Sequence, residues 1–122
     1  MKVEIQSIKN QGDFDKEYVT LKVVEDCDLK YYMIADSTYT SENSISNKLR
    51  HSYWFAPKKA KKGDFVWLYT RAKKSGDKVS WATESKTTTH VYYWGLKTAV
   101  WNDEGDCAVL FEIKGWNTKK VE

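Results

Sequence analysis

The chain has 122 residues, of which 41% are hydrophobic, 15% aromatic and 30% charged, with a formal net charge of +3. Such a composition excludes a disordered polyelectrolyte, and the length suits one domain that buries a core without metal or disulfide support. No stretch approaches the run of about 18 apolar residues that a membrane helix requires, and Met1-Lys2-Val3-Glu4-Ile5 lacks the apolar centre of a secretory signal, so a cytoplasmic protein with no membrane span is expected.

The first residues alternate, with Val3, Ile5 and Ser7 on one side and Lys2, Glu4 and Gln6 on the other, which is the period of a half-buried strand. Asn10-Gln11-Gly12-Asp13 supplies a turn. A second alternation sends Val19, Leu21 and Val23 inward and Thr20 and Lys22 outward, until Glu25-Asp26-Cys27-Asp28 breaks it. A third strand is expected from Leu29 to Ala35. Residues 37–48, rich in Ser, Thr and Asn, read as a surface loop longer than the usual connection of about 4–6 residues. His51–Phe55 forms the next strand and Pro57, the single proline, closes it.

A basic turn follows at residues 57–64, and then strand Phe65–Tyr69. Here Phe65, Trp67 and Tyr69 share one face while Val66 and Leu68 take the other. Both faces are apolar, which places the strand centrally or under cover. Arg71–Lys78 is a polar loop and Trp81 stands alone among polar residues. Strand His90–Trp94 ends at Gly95, ahead of Ala99-Val100-Trp101. Asn102-Asp103-Glu104-Gly105-Asp106 signals a hairpin turn into a last strand, Cys107–Ile113, whose Cys107, Val109, Phe111 and Ile113 share a side and read as core. Lys119–Glu122 reads as a frayed tail. No window shows helical spacing with caps. Short segments between turn signals predict a single all-β domain over residues 1–122, a sandwich or barrel.

The order of these pieces resembles the lamin tail domain in its bacterial form. The residues that carry the resemblance are Val3-Glu4-Ile5, Glu17-Tyr18-Val19-Thr20-Leu21, Asp28-Leu29, Ala35-Asp36, Lys62-Gly63-Asp64, Val66-Trp67-Leu68-Tyr69, and Trp101–Asp106 leading into Ala108-Val109-Leu110. The match spans about residues 3–113. It implies an immunoglobulin-like β-sandwich of about 7–9 strands and a family linked to binding of proteins, DNA or chromatin, with no active site of its own.

The reactive side chains point the same way. His51 and His90 each open an aromatic strand and read as packed or strand-edge imidazoles. Cys27 lies among Glu25, Asp26 and Asp28, whose negative charge disfavours a thiolate. Cys27 and Cys107 form no CxxC pair and read as reduced, although their positions leave a bridge open. Positions 27, 51, 90 and 107 match no zinc spacing. The acidic groups Glu25-Asp26-Asp28 and Asp103-Glu104-Asp106 lack the pattern of a dedicated calcium loop. No enzyme, cofactor or metal is expected.

Charge is distributed unevenly. Residues 48–74 carry nine Lys/Arg and one Asp, whereas residues 1–47 carry five Lys and nine Asp/Glu. If 51–56 and 65–70 paired as a hairpin, Lys58, Lys59, Lys61 and Lys62 would sit at one end and Lys48, Arg50, Arg71, Lys73 and Lys74 at the other, roughly 20 Å away. Such lysines either keep an aromatic hairpin soluble or meet phosphates. The expected contact surface is this hairpin with Tyr53, Trp54, Trp67 and Tyr69. The expected partner is another protein, with nucleic acid or another polyanion as the alternative. Outward rings also leave room for a homodimer.

Overall fold

The computed structural model describes residues 1–102 and 104–122. Its regular secondary structure is almost wholly β: β1 (Val3–Lys9), β2 (Tyr18–Val23), β3 (Cys27–Asp28), β4 (Tyr32–Ser41), β5 (Ser44–Ile45), β6 (Ser52–Trp54), β7 (Lys59–Ala60), β8 (Phe65–Tyr69), β9 (Ser80–Ala82), β10 (Thr88–Tyr93) and β11 (Asp106–Glu112). The one helical turn among the described residues is a 3-10 turn at Leu29–Tyr31. It starts where the Asp28 side chain accepts from the Lys30 N–H, so the expected strand from Leu29 begins only at Tyr32. Among the described residues no helix is long and apolar enough to cross a membrane.

The strands form a five-stranded sheet ordered β1-β2-β8-β10-β9, a second sheet in which β4 lies between β11 on one side and β5 and β6 on the other, and the small pair β3-β7. Strand β8 is central, as its two apolar faces require, and it runs parallel to β10 and antiparallel to β2. One core joins both large sheets. Val19, Leu21, Val23, Val66 and Leu68 enter it from the first sheet and Tyr32 and Ile34 from the second. Each fully buried aliphatic side chain of this kind contributes about 1.5–3 kcal/mol. Leu29, Phe55, Val100 and Trp101 close the ends.

Several expectations fail for identifiable reasons. β1 carries a bulge between Ile5 and Ser7, which turns Ser7 toward Thr20 on the outer face and brings Ile8 against the core. β4 continues through residues expected to be a loop, because Asp106–Thr38 pairing and the β5 strand extend its ladder to Ser41. Strand β6 pairs with β4, not with β8, so the 51–69 hairpin does not exist. β11 pairs with β4 and residues 99–101 are not a strand, so the described residues form no hairpin there. Asp103, part of that turn and of the weighed calcium cluster, lies outside the described residues. Cys107 is buried, yet it pairs with Ser37 on the face opposite Ala108 and Leu110, which are the β11 residues packed on the core. Both cysteines are free thiols.

Candidate functional site

Period-two geometry decides the outer face of the first sheet. Because Val19, Leu21, Val66 and Leu68 go inward, Tyr18, Thr20, Phe65, Trp67 and Tyr69 must go outward. Register then sets rings beside one another. Tyr18 opposes Tyr69, and the two β10 neighbours of Trp67 and Tyr69 are Val91 and Tyr93. The Tyr18 ring lies 4.7 Å from Trp67 and 4.7 Å from Tyr69, at tilts of 31° and 35°. Tyr69 and Tyr93 stack at 5.5 Å and 11°. Edge strand β9 adds Trp81, which stands at 83° to Trp67 with centroids 4.9 Å apart.

The two ends of this face differ. At the Tyr69 end the Arg71 guanidinium sits 5.2 Å from the Tyr69 ring centre and 5.1 Å from that of Tyr93, a double cation–π contact. Asp77 holds it there at 2.6 Å. The Asp77 hydrogen bond pushes the Arg71 pKa up, and Arg71 in turn holds the Asp77 carboxyl below its ordinary value. That end is already covered. Beside Trp67 an open groove of about 590 Å³ runs from Tyr18 to Phe65 and across to Trp81. Gln6, Ser7, Thr20, Thr83 and Thr89 complete its lining, and Lys9 is its one charged side chain among the described residues.

The lysine loop adjoins the open end. Three aspartates fix its backbone. Asp28 Oδ1 accepts from Lys58 N at 3.1 Å, Asp64 Oδ2 from Lys61 N at 3.0 Å, and Asp26 Oδ1 from Lys62 N at 2.8 Å. The acids spend these oxygens on amide N–H groups. The four ammonium groups are exposed and make no ion pair among the described residues. Gly63, at φ +94°, turns the chain so closely past Thr87 that an added Cβ would come within 3.0 Å of its methyl. The loop therefore abuts the Thr83–Thr87 turn at the groove's rim and leads directly into Phe65.

The residues expected to act together are dispersed. Trp67 and Tyr69 lie on the outer face of the first sheet. Tyr53 pairs with Ile34 and packs inward on Phe55 and Tyr92, so it is a core residue. Trp54 faces out from the second sheet, on the opposite side of the molecule, with its indole N–H donating to Lys30 O at 2.7 Å and Trp116 edge-on at 4.9 Å. Lys48 and Arg50 belong to the β5–β6 connection, and Arg50 approaches Asp106 at 3.7 Å. Lys73 and Lys74 are exposed near Arg71, with Lys74 3.8 Å from Asp15. Tyr18 and Trp81 were missed. Tyr18 was legible by parity, being out of phase with Val19 and Leu21. Nothing beside Trp81 marks Ser80–Ala82 as a strand.

Both imidazoles are tied into structural pairs. His51 Nδ1 meets Asp36 Oδ1 at 3.1 Å, and buried His90 Nε2 meets Asp64 Oδ2 at 3.0 Å. Cys27 is held above the ordinary thiol range by burial, against an opposing pull from Lys2. No protein-family model matches the chain, and no curated protein matches it.

Proposed function

We propose that the chain is a non-catalytic binding module, an immunoglobulin-like β-sandwich of the lamin-tail kind, whose contact surface is the groove over Trp67 and Trp81. The observation that carries this is the open row of rings on the outer face of the first sheet. These rings are half-buried against one another on the outer face and do not enter the core, so they offer an apolar surface that a partner can cover. Among the described residues neither His–Asp pair has a nucleophilic side chain as a hydrogen-bond partner, and burial raises the Cys27 thiol, which supports a role without covalent catalysis.

Intrinsic fluorescence titration against a chemically diverse panel tests the assignment: single-stranded and duplex oligonucleotides, heparin, a neutral oligosaccharide and anionic vesicles. A saturable change that disappears in Trp67→Ala and in Trp81→Ala supports it. A ligand that keeps its affinity in both variants and loses it in Trp54→Ala overturns it, since the contact then lies on the second sheet. Light scattering of the free protein reads self-association, and a dimer abolished by the same two substitutions assigns the groove to a second copy of the chain.

A further inference from the structure

We infer that the groove takes single-stranded nucleic acid, with unpaired bases against Trp67 and Trp81 and phosphates on the lysine loop; the inference rests on the binding-module assignment and specifies its ligand. Two kinds of chemistry meet at this one place. Tyr18 leans against Trp67 at 4.7 Å and 31°, and Trp81 meets Trp67 nearly at right angles, so the three half-buried rings make an apolar floor of overlapping ring edges with Trp81 as its wall. A flat aromatic ring can lie on the floor with its edge against the wall. Every base has such a face, so stacking of this sort tolerates sequence.

Charge complementarity decides between ligands that could use the rings. The lining of the groove holds Lys9 and no acidic side chain among the described residues. Lys22 lies beside Phe65 on the same outer face, with Glu4 opposite it on β1, so the net positive field there comes from the lysine loop. Lys61 and Lys62 precede Phe65 by only a few positions, and their ammonium groups make no ion pair among the described residues. A phosphate backbone leaving the ring floor at Phe65 enters that field. A neutral sugar chain would leave those cations idle. A duplex hides its base faces within its own stack and offers only its backbone, so the rings discriminate against it. Arg71 blocks extension over Tyr69 and Tyr93, which limits the stacking site to the Trp67 end.

Fluorescence anisotropy with labelled oligothymidylate and with a duplex of equal length, at low and moderate salt, tests this on the full chain. Oligothymidylate binds at low salt and outcompetes the duplex. Trp67→Ala and, separately, Trp81→Ala on the edge strand each weaken binding about tenfold or more. Lys61→Gln with Lys62→Gln weakens it and flattens the log–log salt slope by about 1.4, the share of two phosphate contacts on a single strand. Trp54→Ala, on the opposite face, changes nothing. Circular dichroism confirms that each variant is folded, and Trp81→Ala keeps the test decisive if Trp67→Ala does not fold. No oligothymidylate binding at low salt overturns the inference. So does equal affinity for the duplex with both Trp variants unchanged, which marks a purely electrostatic surface. A neutral oligosaccharide that binds in a Trp67-dependent way while oligothymidylate does not overturns the nucleic-acid assignment and leaves the binding module standing.

Discussion

Glu17 offers the sharpest test of what holds the fold together. Its side chain is fully buried at the start of β2. Oε2 accepts from the Thr70 hydroxyl at the end of β8 and from Val100 N at 2.9 Å, and Oε1 accepts from Gly12 N at 3.1 Å. One carboxyl group thus ties the β1–β2 turn and the 95–101 segment to the central strands. Glu17→Ala removes the acceptor and strands two buried donors, those of Thr70 and Val100. Each unsatisfied buried donor costs about 1–3 kcal/mol, and partial relaxation brings the expected loss to about 3 kcal/mol. Against a total stability of about 6–18 kcal/mol for a chain of this size, the variant still folds. Glu17→Gln can keep its oxygen on Thr70 and Val100 and turn its NH2 toward Gly12, whose N–H lies near solvent, so about 1 kcal/mol is expected. Urea unfolding at neutral pH measures both. Hydrogen exchange at the Val100 amide should be protected in Glu17→Gln and fast in Glu17→Ala. An alanine variant that loses under about 1 kcal/mol, or a glutamine variant as damaged as the alanine one, would refute the clamp.

Three further outcomes are expected. Burial alone pushes the Asp64 carboxyl up, but the N–H groups of Lys61 and Thr88 and the His90 ring outweigh it and hold Asp64 below 3.8. Its contribution is therefore complete above the unfolded value and is lost as pH falls through the folded one; the stability gap between wild type and Asp64→Asn should shrink as urea titrations move below about pH 4, and a constant gap down to about pH 2 would contradict the assignment. Gly63→Ala meets both a left-handed backbone and the Thr87 methyl; a loss of about 1–2 kcal/mol is expected, reduced in a Thr87→Ser background, and additivity in that double-mutant cycle would remove the steric account. Burial raises the Cys107 thiol pKa, and the Ser37 N–H opposes that only in part; alkylation at mildly alkaline pH should be slow in the native protein and fast in urea, with mass spectrometry showing two free thiols, whereas a native-state rate equal to the unfolded rate would show the site is open.

Much of the local structure is written in the chain. Alternation at Val19-Thr20-Leu21-Lys22-Val23 fixes which face of β2 is buried, because a one-residue slip would put every valine and leucine in water. The same parity sends Phe65, Trp67 and Tyr69 outward, and the apolar character of both faces of that strand marks it as central. The all-β class, the basic 48–74 segment and the turn at Lys62-Gly63-Asp64 follow from composition and spacing alone.

Tertiary structure decided which strands adjoin. Backbone hydrogen bonds carry no label of partner, so Ser52–Trp54 and Phe65–Tyr69 looked like a hairpin although only the packed core could send one to each sheet. That choice moved Tyr53 into the interior, set Trp54 on the far side from Trp67, and brought Tyr18 and the isolated Trp81 to the groove. It also decided which cations are free. Arg71 is drawn onto Tyr69 and Tyr93 by Asp77, whereas the aspartates of the lysine loop accept from backbone N–H groups and the loop's ammonium groups make no ion pair among the described residues. Sequence specifies the face a residue takes through period-two burial, whereas the neighbours on that face come from long-range pairing that only the folded chain supplies.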